Sequence, residues 1–312
     1  MADTNTLNLS IPFKVSLPRR ILKRIRDGGL FKFIVYTFLF RILGDSKIRN
    51  RMIRFFRMCA TRLGISQWAT RVNGVRIWVD PRDFWVMREY VLKPRYNHEE
   101  IDLVRRLIPR TFDMIDIGAN YGVWSFSLES HFSKIFLIEP NPDCVRCIQK
   151  TIADHQWPHL RFVPGALSDK DGETLFFPSK DHAADGRIYD AKDTGRMGGL
   201  SVKTFSFETF IRECRLKNPR LFIKMDVQGA EPGIIKGIAP LLAISKDILL
   251  YSECQDDILR SAGSSADEYF DLLSRFNIKP VDALDSFKIK DWAFAKNLVA
   301  QKKANLWFRY QA

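Results

Sequence analysis

The stretch 116–122 (DIGANYG) places an acid and two glycines where a strand-like segment turns into a helix. Gly118 and Gly122 lack side chains, so the backbone can approach a ligand closely and free amides of the helix N-terminus can face it. Asp116 lies at the mouth of this loop, where a carboxylate repels a pyrophosphate and attracts a cation. The stretch therefore predicts a site for a ligand that carries a positive charge.

A second acid follows at a fitting interval. Glu139 ends the apolar stretch KIFLIE, 21 residues after Gly118. A carboxylate at that distance suits two ribose hydroxyls, because it can accept two hydrogen bonds at once. S-adenosylmethionine offers a ribose, a cationic amino group and a carboxylate for the helix amides. The acids and glycines thus predict S-adenosylmethionine as the cofactor, and the lack of a third glycine disfavours a dinucleotide.

Two further acids end later strand-like stretches and are candidate catalytic residues. Asp226 ends LFIKMD, and Glu253 ends DILLYSE. An alcohol methyl acceptor benefits from a base near its hydroxyl, and two neighbouring acids would raise the pKa of one of them. Glu253 is alternatively an acid hydrogen-bonded at a strand end. Lys224 lies on the same side of its strand as Asp226, where it either orients an acid or supports the end of the sheet.

A long polar segment, residues 178–200, is predicted to be a substrate loop or lid. It contains His182, Arg187 and Arg196. His182 is a third candidate catalytic residue, as a base, and the alternative is a solvated loop histidine. No His, Cys or acid cluster has the spacing of a metal site, so no metal is expected.

These candidate residues can form one site only in a fold that brings the carboxyl ends of several strands together. From residue 111 onward, short apolar stretches alternate with helix-like segments, which predicts an α/β fold with a doubly wound, mostly parallel sheet. The strand-like stretches are FDMIDI, KIFLIE, RFVPGAL, LFIKMD and DILLYSE. Asn73-Gly74 predicts a hairpin within 71–80, and apolar spacing predicts a helix over 98–109.

The charge of the chain is concentrated at one end. Of the net +13, residues 1–72 supply +12, from 15 Lys and Arg against three acids. Residues 111–312 hold 26 basic and 27 acidic residues, a near-neutral balance that makes nucleic acid an unlikely partner of this region. Five cysteines and no secretory signal at residues 1–10 indicate reduced thiols and a cytoplasmic protein.

We divide the chain into a basic helical extension, residues 1–70, and a catalytic domain, residues 71–312. Helices are predicted from Ser16, across 30–43 and from Asp45 to about residue 63. The apolar stretch 30–43 is too short to span a bilayer. Residues 16–62 either contact an anionic membrane at its inner face or form a helical cap packed on the domain.

The chain resembles the FkbM-type family of class I S-adenosylmethionine-dependent methyltransferases. The resemblance lies in DIGANYG (116–122), IEPNP (138–142), ALSDKDG (166–172) and IKMDVQGAE (223–231), and it covers about residues 72–310. It implies a Rossmann-like fold in which the cofactor is bound by Asp116, Gly118, Ala119, Asn120, Gly122, Glu139, Asn141, Ser168 and Asp169. Gln228 departs from the family pattern, which usually has Glu at that position.

The preferred function is O-methylation of a hydroxyl on a sugar, a glycan or a small natural product. An NAD(P)-linked oxidoreductase and a membrane-associated, non-catalytic protein that retains the fold are the alternatives. An RNA methyltransferase is disfavoured by the near-neutral sheet region, although the basic segment could contact phosphates.

Overall fold

The computed structural model describes residues 47–93, 95–179, 182–189, 198–303 and 305–312. The helices predicted before residue 47, and Arg196, lie outside the described residues. The third predicted helix is confirmed as α1 (Lys47–Arg62). In the part of the chain that the structure describes, no helix has the length and apolar character needed to cross a membrane.

The predicted hairpin is confirmed, with β1 (Trp68–Val72) antiparallel to β2 (Val75–Val79). Asn73 and Gly74 form its turn with φ values of 50° and 85°, as a two-residue hairpin turn of matching twist requires. Three helical segments follow: α2 (Phe84–Val86), a π-helical turn (Met87–Val91) and α3 (His98–Leu107). The last confirms the helix predicted over 98–109.

The other strands are, in chain order, β3 (Asp113–Ile117), β4 (Ile135–Glu139), β5 (Leu160–Pro164), β6 (Ala166–Leu167), β7 (Gly172–Phe176), β8 (Leu200–Phe205), β9 (Arg220–Met225), β10 (Asp247–Glu253), β11 (Lys279–Asp282), β12 (Lys288–Ile289) and β13 (Asn305–Gln311). The helices among them are α4 (Val123–Ser127), α5 (Pro142–His155), α6 (Phe207–Cys214), α7 (Glu231–Lys236), α8 (Ala239–Ile244), α9 (Asp256–Ser261), α10 (Ala266–Arg275) and α11 (Trp292–Ala300).

Within the described residues, eight strands form the central sheet in the order β12-β11-β13-β10-β9-β3-β4-β5. Strands β10, β9, β3, β4 and β5 run parallel, whereas β13 is antiparallel to β10 and β11 is antiparallel to β13. The chain moves outward from β3 through β4 to β5 and later returns to β9 on the other side of β3. This reversal opens a crevice at the carboxyl ends of the strands, and it confirms the doubly wound fold.

The single strand predicted over RFVPGAL is wrong. The chain leaves the central sheet after Pro164, and β6 pairs instead with β8 in a three-stranded side sheet of order β6-β8-β7. Gly165 makes the change of direction with φ +146°, and a Cβ there would lie 2.5 Å from the Phe205 ring. The sequence pattern did not distinguish two short strands from one.

The sheet separates two apolar cores. Met114 and Phe222 face the first core, which also contains Ile53 of α1 and Trp68 of β1. Ile115 and its neighbours on the opposite face pack against helices that include α6, α8 and α10. Because side chains alternate along a strand, Asp116 shares the face of Met114. Helix α1 and the hairpin therefore pack on the face that also carries Asp116.

Candidate functional site

A cavity with about 880 Å³ of empty space, part of it open to solvent, lies at the carboxyl ends of β3, β4 and β9. Five of the predicted site residues line it: Gly118, Ala119, Asn120, Glu139 and Asp226. Apolar and aromatic side chains make up much of the remaining wall, including Tyr90, Tyr96, Trp124, Ile138, Leu167, Phe176 and Ile234. The site combines strand-end acids with a largely apolar surface, as is usual for small-molecule sites.

Gly118 occupies a position where no other residue fits without a shift of the backbone. Its φ is +74°, and a Cβ would lie 2.0 Å from the backbone oxygen of Asp226. Gly122 precedes α4 with φ +75°, and it does not line the cavity. Gly118 therefore lets the loop after β3 pack against the end of β9, whereas Gly122 leaves room for the Phe126 ring.

The backbone N–H groups at the start of this loop bind within the protein. The N–H groups of Gly118 and Ala119 both donate to the Ile138 carbonyl, at 3.0 and 3.1 Å. The Asn120 N–H donates to Glu139 Oε2 at 2.7 Å. These hydrogen bonds fix the loop to β4, so the backbone amides of 118–120 hold the site in shape instead of facing a ligand.

Asp116 does not lie at the mouth of the loop, which corrects the expectation that it faces the ligand directly. Its carboxylate is fully buried, accepts a hydrogen bond from Ser125 Oγ at 2.7 Å and lies 3.4 Å from Lys224 Nζ. It is absent from the cavity wall. Asp116 and Lys224 are register partners in β3 and β9, and this pairing brings the two charges together.

Lys224 connects the two strand ends. It is buried and lines the cavity, and its Nζ donates to the Gly118 carbonyl at 2.8 Å and lies 3.8 Å from Asp226 Oδ2. Burial alone would lower the pKa of Lys224, but the nearby Asp116 and Asp226 outweigh it and the pKa is raised. The side chain is therefore a cation at neutral pH, and both roles considered for it, pairing with acids and supporting the end of the sheet, are observed.

Glu139 is the acid that faces the cavity from β4. Its Oε1 accepts from the Asn141 N–H at 2.8 Å and its Oε2 from the Asn120 N–H. Burial raises the pKa of Glu139 to about 7, against the opposing effect of the two amide hydrogen bonds. Each carboxylate oxygen keeps a second lone pair, so Glu139 can still accept hydrogen bonds from a ligand.

Asp226 and Glu253 are joined by an amide. Gln228 Nε2 donates to Asp226 Oδ1 at 3.0 Å and to Glu253 Oε2 at 2.9 Å. Burial and the negative charge of Asp226 raise the pKa of Glu253 to about 9, in the direction expected for two adjacent acids. Glu253 is therefore protonated at neutral pH and does not line the cavity, whereas the Asp226 side chain is 40% exposed within it.

Besides Asp116 and Gly122, three more predicted cofactor-binding residues lie outside the cavity wall. Asn141 is buried and caps α5, accepting from the Asp143 N–H at 3.0 Å. Ser168 and Asp169 follow Leu167, which does line the cavity, and Asp169 is exposed. Contact of Ser168 and Asp169 with an adenine stays a prediction.

Part of the cavity wall is aromatic. Tyr90 and Tyr96 line it, their rings packed edge to face with each other, and each packs in the same way on Trp85. Asn73, at the hairpin turn, holds this wall in place. Its Oδ1 accepts from the Tyr96 N–H at 2.9 Å and its Nδ2 donates to the Tyr96 carbonyl at 2.8 Å.

Residues 182–189 of the predicted lid pack over the cavity. The Ala183 N–H donates to Asp83, and Tyr189 Oη donates to the Gln228 carbonyl at 3.0 Å. His182 packs edge to face on Trp85 and does not line the cavity. Burial lowers the pKa of His182, which keeps the imidazole neutral, but its position away from the wall does not support its predicted role as a base.

The histidines, cysteines and acids of the described residues were compared with the requirements of metal sites and disulfides. The described residues contain no group of His, Cys, Asp or Glu that could hold a metal ion. Cys144 and Cys147, which have CxxC spacing, are buried free thiols, and burial raises the pKa of each. A raised pKa keeps both thiols protonated and unreactive.

The cavity fits S-adenosylmethionine in its chemistry. Glu139 supplies acceptors for ribose hydroxyls, and the apolar lining suits the faces of a planar base. Asp226 offers a carboxylate to a cationic ligand from β9. A sulfonium and an amino group therefore meet negative charge here, although not from Asp116.

Comparisons with known proteins agree on the family. A model of the Methyltransferase FkbM domain matches residues 116–277, or 162 of the 312 residues. Curated protein sequences gave no match.

Similar solved structures are distant in sequence. A methyltransferase FkbM from Methylobacillus flagellatus is 14% identical, with 64% of this chain and 44% of that chain covered and a TM-score of 0.40. Trm5b from Pyrococcus abyssi is 11% identical, with coverage of 79% and 56% and a TM-score of 0.39. TYW2 from M. jannaschii, solved in complex with AdoMet, is 12% identical, with coverage of 78% and 84% and a TM-score of 0.37.

The chain therefore spans about half the length of the first two structures. The family match confirms the resemblance drawn from the motifs, and with it the fold class and the cofactor. The chain belongs to the FkbM methyltransferase family, class I enzymes that use S-adenosylmethionine.

Proposed function

We propose that this protein transfers a methyl group to a hydroxyl oxygen of a sugar, a glycan or a small natural product. The observation that carries the proposal is the position of Asp226. Its carboxylate lines the cavity at the end of β9, is 40% exposed, and is held by Gln228 on one oxygen. A partly exposed carboxylate beside the methyl donor is what an alcohol acceptor requires of a base.

The cofactor supplies an electrophilic methyl group on a sulfonium, so the protein mainly positions the acceptor and receives its proton. In this proposal the carbon–sulfur bond breaks as a carbon–oxygen bond forms, and the hydroxyl proton passes to Asp226. Gln228 occupies Oδ1 of Asp226, which leaves Oδ2 to accept that proton, 3.8 Å from Lys224. Glu253, protonated at neutral pH, adds no second negative charge that would compete for it.

The cofactor is assigned to the loop after β3 and the end of β4. Gly118, Ala119 and Asn120 give the wall a bare backbone edge, and Glu139 offers its carboxylate to the ribose. Asp116 and Gly122 support the site without lining the cavity. Asp116 pairs with Lys224, and Gly122 shapes the turn into α4. Asn141 supports Glu139 through its backbone N–H.

The aromatic wall supports an acceptor with apolar ring faces and hydroxyl edges. Tyr90 and Tyr96 present rings to the cavity, and Asn97 adds an amide beside them. Carbohydrate rings and polyketide-like rings share that combination of surfaces. The near-neutral charge of residues 111–312 disfavours a nucleic-acid acceptor for this part of the chain.

Methyl transfer and cofactor binding are measured separately to test this function. Calorimetry with S-adenosylhomocysteine should show binding to wild type and weaker but measurable binding to Asp226→Asn, because the variant lacks one carboxylate near the cationic ligand. Methyl transfer is therefore compared at saturating methyl donor. Transfer of labelled methyl to a carbohydrate and metabolite extract should fall by about 10²–10⁴-fold in Asp226→Asn. Asp257→Asn, an exposed acid on α9, is the matched control and should transfer as wild type does.

The labelled product identifies the acceptor atom. A methyl ether on oxygen survives mild alkali, whereas a methyl ester does not, and mass spectrometry then locates the methyl group. Full activity of Asp226→Asn would contradict the role of Asp226. Binding of NAD(P) without binding of S-adenosylhomocysteine would overturn the proposed function in favour of an oxidoreductase.

A further inference from the structure

Helix α1 has a buried face that attaches it to the domain. Ile53 is fully buried in the first core, and Ala60 is 7% exposed. On another side of the helix, the Arg54 guanidinium lies 6.0 Å from the ring centre of Phe84 in α2. The packing shows that α1, the described part of residues 16–62, covers this side of the domain, and the buried residues account for its attachment.

The opposite face of α1 is exposed and combines apolar with basic side chains. Phe55 is 51% exposed, Met58 is 40% exposed, and Leu63, just beyond the helix, is 62% exposed. At 3.6 residues per turn, the residues of this face fall within an arc of about 100°. They are Lys47, Arg51, Arg54, Phe55, Met58 and Arg62. We call these six residues and Leu63 the outer face of α1.

Within the described residues, the outer face contributes Arg54 to a contact with Phe84 but no residue to the buried cores. Phe55 and Met58 are not part of the buried cores, and no residue of α1 lines the cavity. The sequence of α1 contains six basic residues and no Asp or Glu, so the helix carries no acid to neutralise this face. The exposure of Phe55 and Met58 among basic side chains is therefore not explained by the packing of the domain.

We propose that the outer face of α1 docks on the surface of an anionic lipid bilayer. The arginines match the negative headgroups, and long basic side chains can reach them while the stems lie along apolar surface. Phe55, Met58 and Leu63 would enter the boundary between headgroups and acyl chains. The charge of the whole chain is concentrated in the same region, since residues 1–72 carry +12 of the net +13.

The apolar part of the face favours lipid over nucleic acid. A phosphate backbone attracts arginine but gives no burial to Met58 or Leu63, which the bilayer boundary does. The inner face already uses Ile53 to hold the helix on the domain, so α1 need not detach to bind. The geometry points to a peripheral contact in which the axis of α1 lies parallel to the membrane surface.

The full chain is tested by co-sedimentation with phosphatidylcholine vesicles that contain either no anionic lipid or roughly one third phosphatidylserine. Wild type should bind the anionic vesicles alone. Arg51→Gln with Arg62→Gln should weaken binding by roughly 25-fold, about fivefold for each residue. Phe55→Ser should weaken binding by at least roughly tenfold.

Matched controls change exposed residues elsewhere. Lys217→Gln with Arg220→Gln removes the same charge, and Leu284→Ser removes an 85% exposed apolar side chain. Both should bind as wild type does, and thermal unfolding should show that all variants are folded. The proposal is overturned if wild type ignores anionic vesicles, or if the control pair weakens binding as much as the α1 pair.

The membrane proposal is also overturned if the outer face of α1 binds RNA or a second copy of the chain instead. If the α1 variants lose binding to an RNA oligonucleotide while wild type ignores vesicles, the face belongs to nucleic acid. If wild type sediments as a dimer that Phe55→Ser dissociates, and vesicles are ignored, the face joins two copies of the chain.

Discussion

Replacing Glu253 by Gln tests the electrostatics at the end of β10 directly. Glu253 is 7% exposed and accepts from Gln228 Nε2 and from Gln255 Nε2, at 2.9 and 2.6 Å. Burial, reinforced by the charge of Asp226, raises its pKa from 4.5 to about 9. The folded protein therefore keeps this proton at neutral pH, and the unfolded chain releases it. An amide resembles that protonated carboxyl and cannot ionise.

The sign follows from the raised pKa. The contribution of Glu253 to the free energy of unfolding is fully present below the unfolded pKa, near 4.5, and is lost as the pH rises through about 9. Between these pH values, the ionisation of Glu253 lowers the free energy of unfolding of wild type by up to about 1.4 kcal/mol per pH unit. The free energy of unfolding of Glu253→Gln should therefore rise by up to about 3 kcal/mol relative to that of wild type between about pH 6 and about pH 8.

Urea unfolding of both proteins across this pH range measures the difference. Other buried acids, such as Glu139 and Glu231, titrate in both proteins, so their contributions largely cancel. Glu213→Gln removes an exposed carboxyl and is the control, with a difference from wild type that should stay constant. A constant difference for Glu253→Gln as well would refute the reasoning, because Glu253 would then be ionised in the folded protein.

Two glycine and turn variants test how the cavity wall is held. Gly118→Ala should lower the free energy of unfolding by at least about 2 kcal/mol in urea titrations, because φ is +74° and the Cβ meets the Asp226 carbonyl at 2.0 Å. Gly233→Ala, which has no neighbour within 4 Å, is its control and should be neutral or stabilising. Asn73→Gly keeps the positive φ of the hairpin turn but removes the hydrogen bonds to Tyr96, so calorimetry should show weaker binding of S-adenosylhomocysteine. Unchanged binding in Asn73→Gly would show that Tyr96 does not need this support, and a fully stable Gly118→Ala would show that the loop can move away from β9.

The fold was predictable because its signals are local. Apolar stretches that end in acids located β3, β4, β9 and β10, and the Asn73-Gly74 pair located the hairpin turn. Their order along the chain was enough to predict a doubly wound sheet. The break at Gly165 was missed, because leaving one sheet for another depends on the partner strand β8 and not on the strand's own pattern.

The site was predictable only in part. The sequence identified Asp116 and Glu139 as a pair of strand-end acids, yet only Glu139 lines the cavity. The difference arises from register, since β3 and β9 pair so that Lys224 lies beside Asp116. Contacts between residues more than 100 positions apart leave no trace in local spacing.

The roles of Asn73 and Gln228 in the site also depend on contacts that are distant in the sequence. Asn73 was recognised as a turn residue, and its second role, holding Tyr96, depends on a contact 23 residues away. Gln228 was recognised only as a departure from the family pattern. Its amide lies between Asp226 and Glu253, and a carboxylate there would accept where this side chain donates.

The charges at the strand ends explain how one crevice can be both stable and attractive to a cation. Asp116 and Lys224 are buried as a pair, so neither presents an uncompensated charge to the core. The same Lys224 donates to the Gly118 carbonyl and so fixes the loop that forms the cavity wall. With these two charges balanced, Glu139 and Asp226 are the acids that remain on the wall. Because burial raises the pKa of Glu139 to about 7, a cation or a ribose hydroxyl that favours its ionised form would strengthen the negative character of the site as it binds.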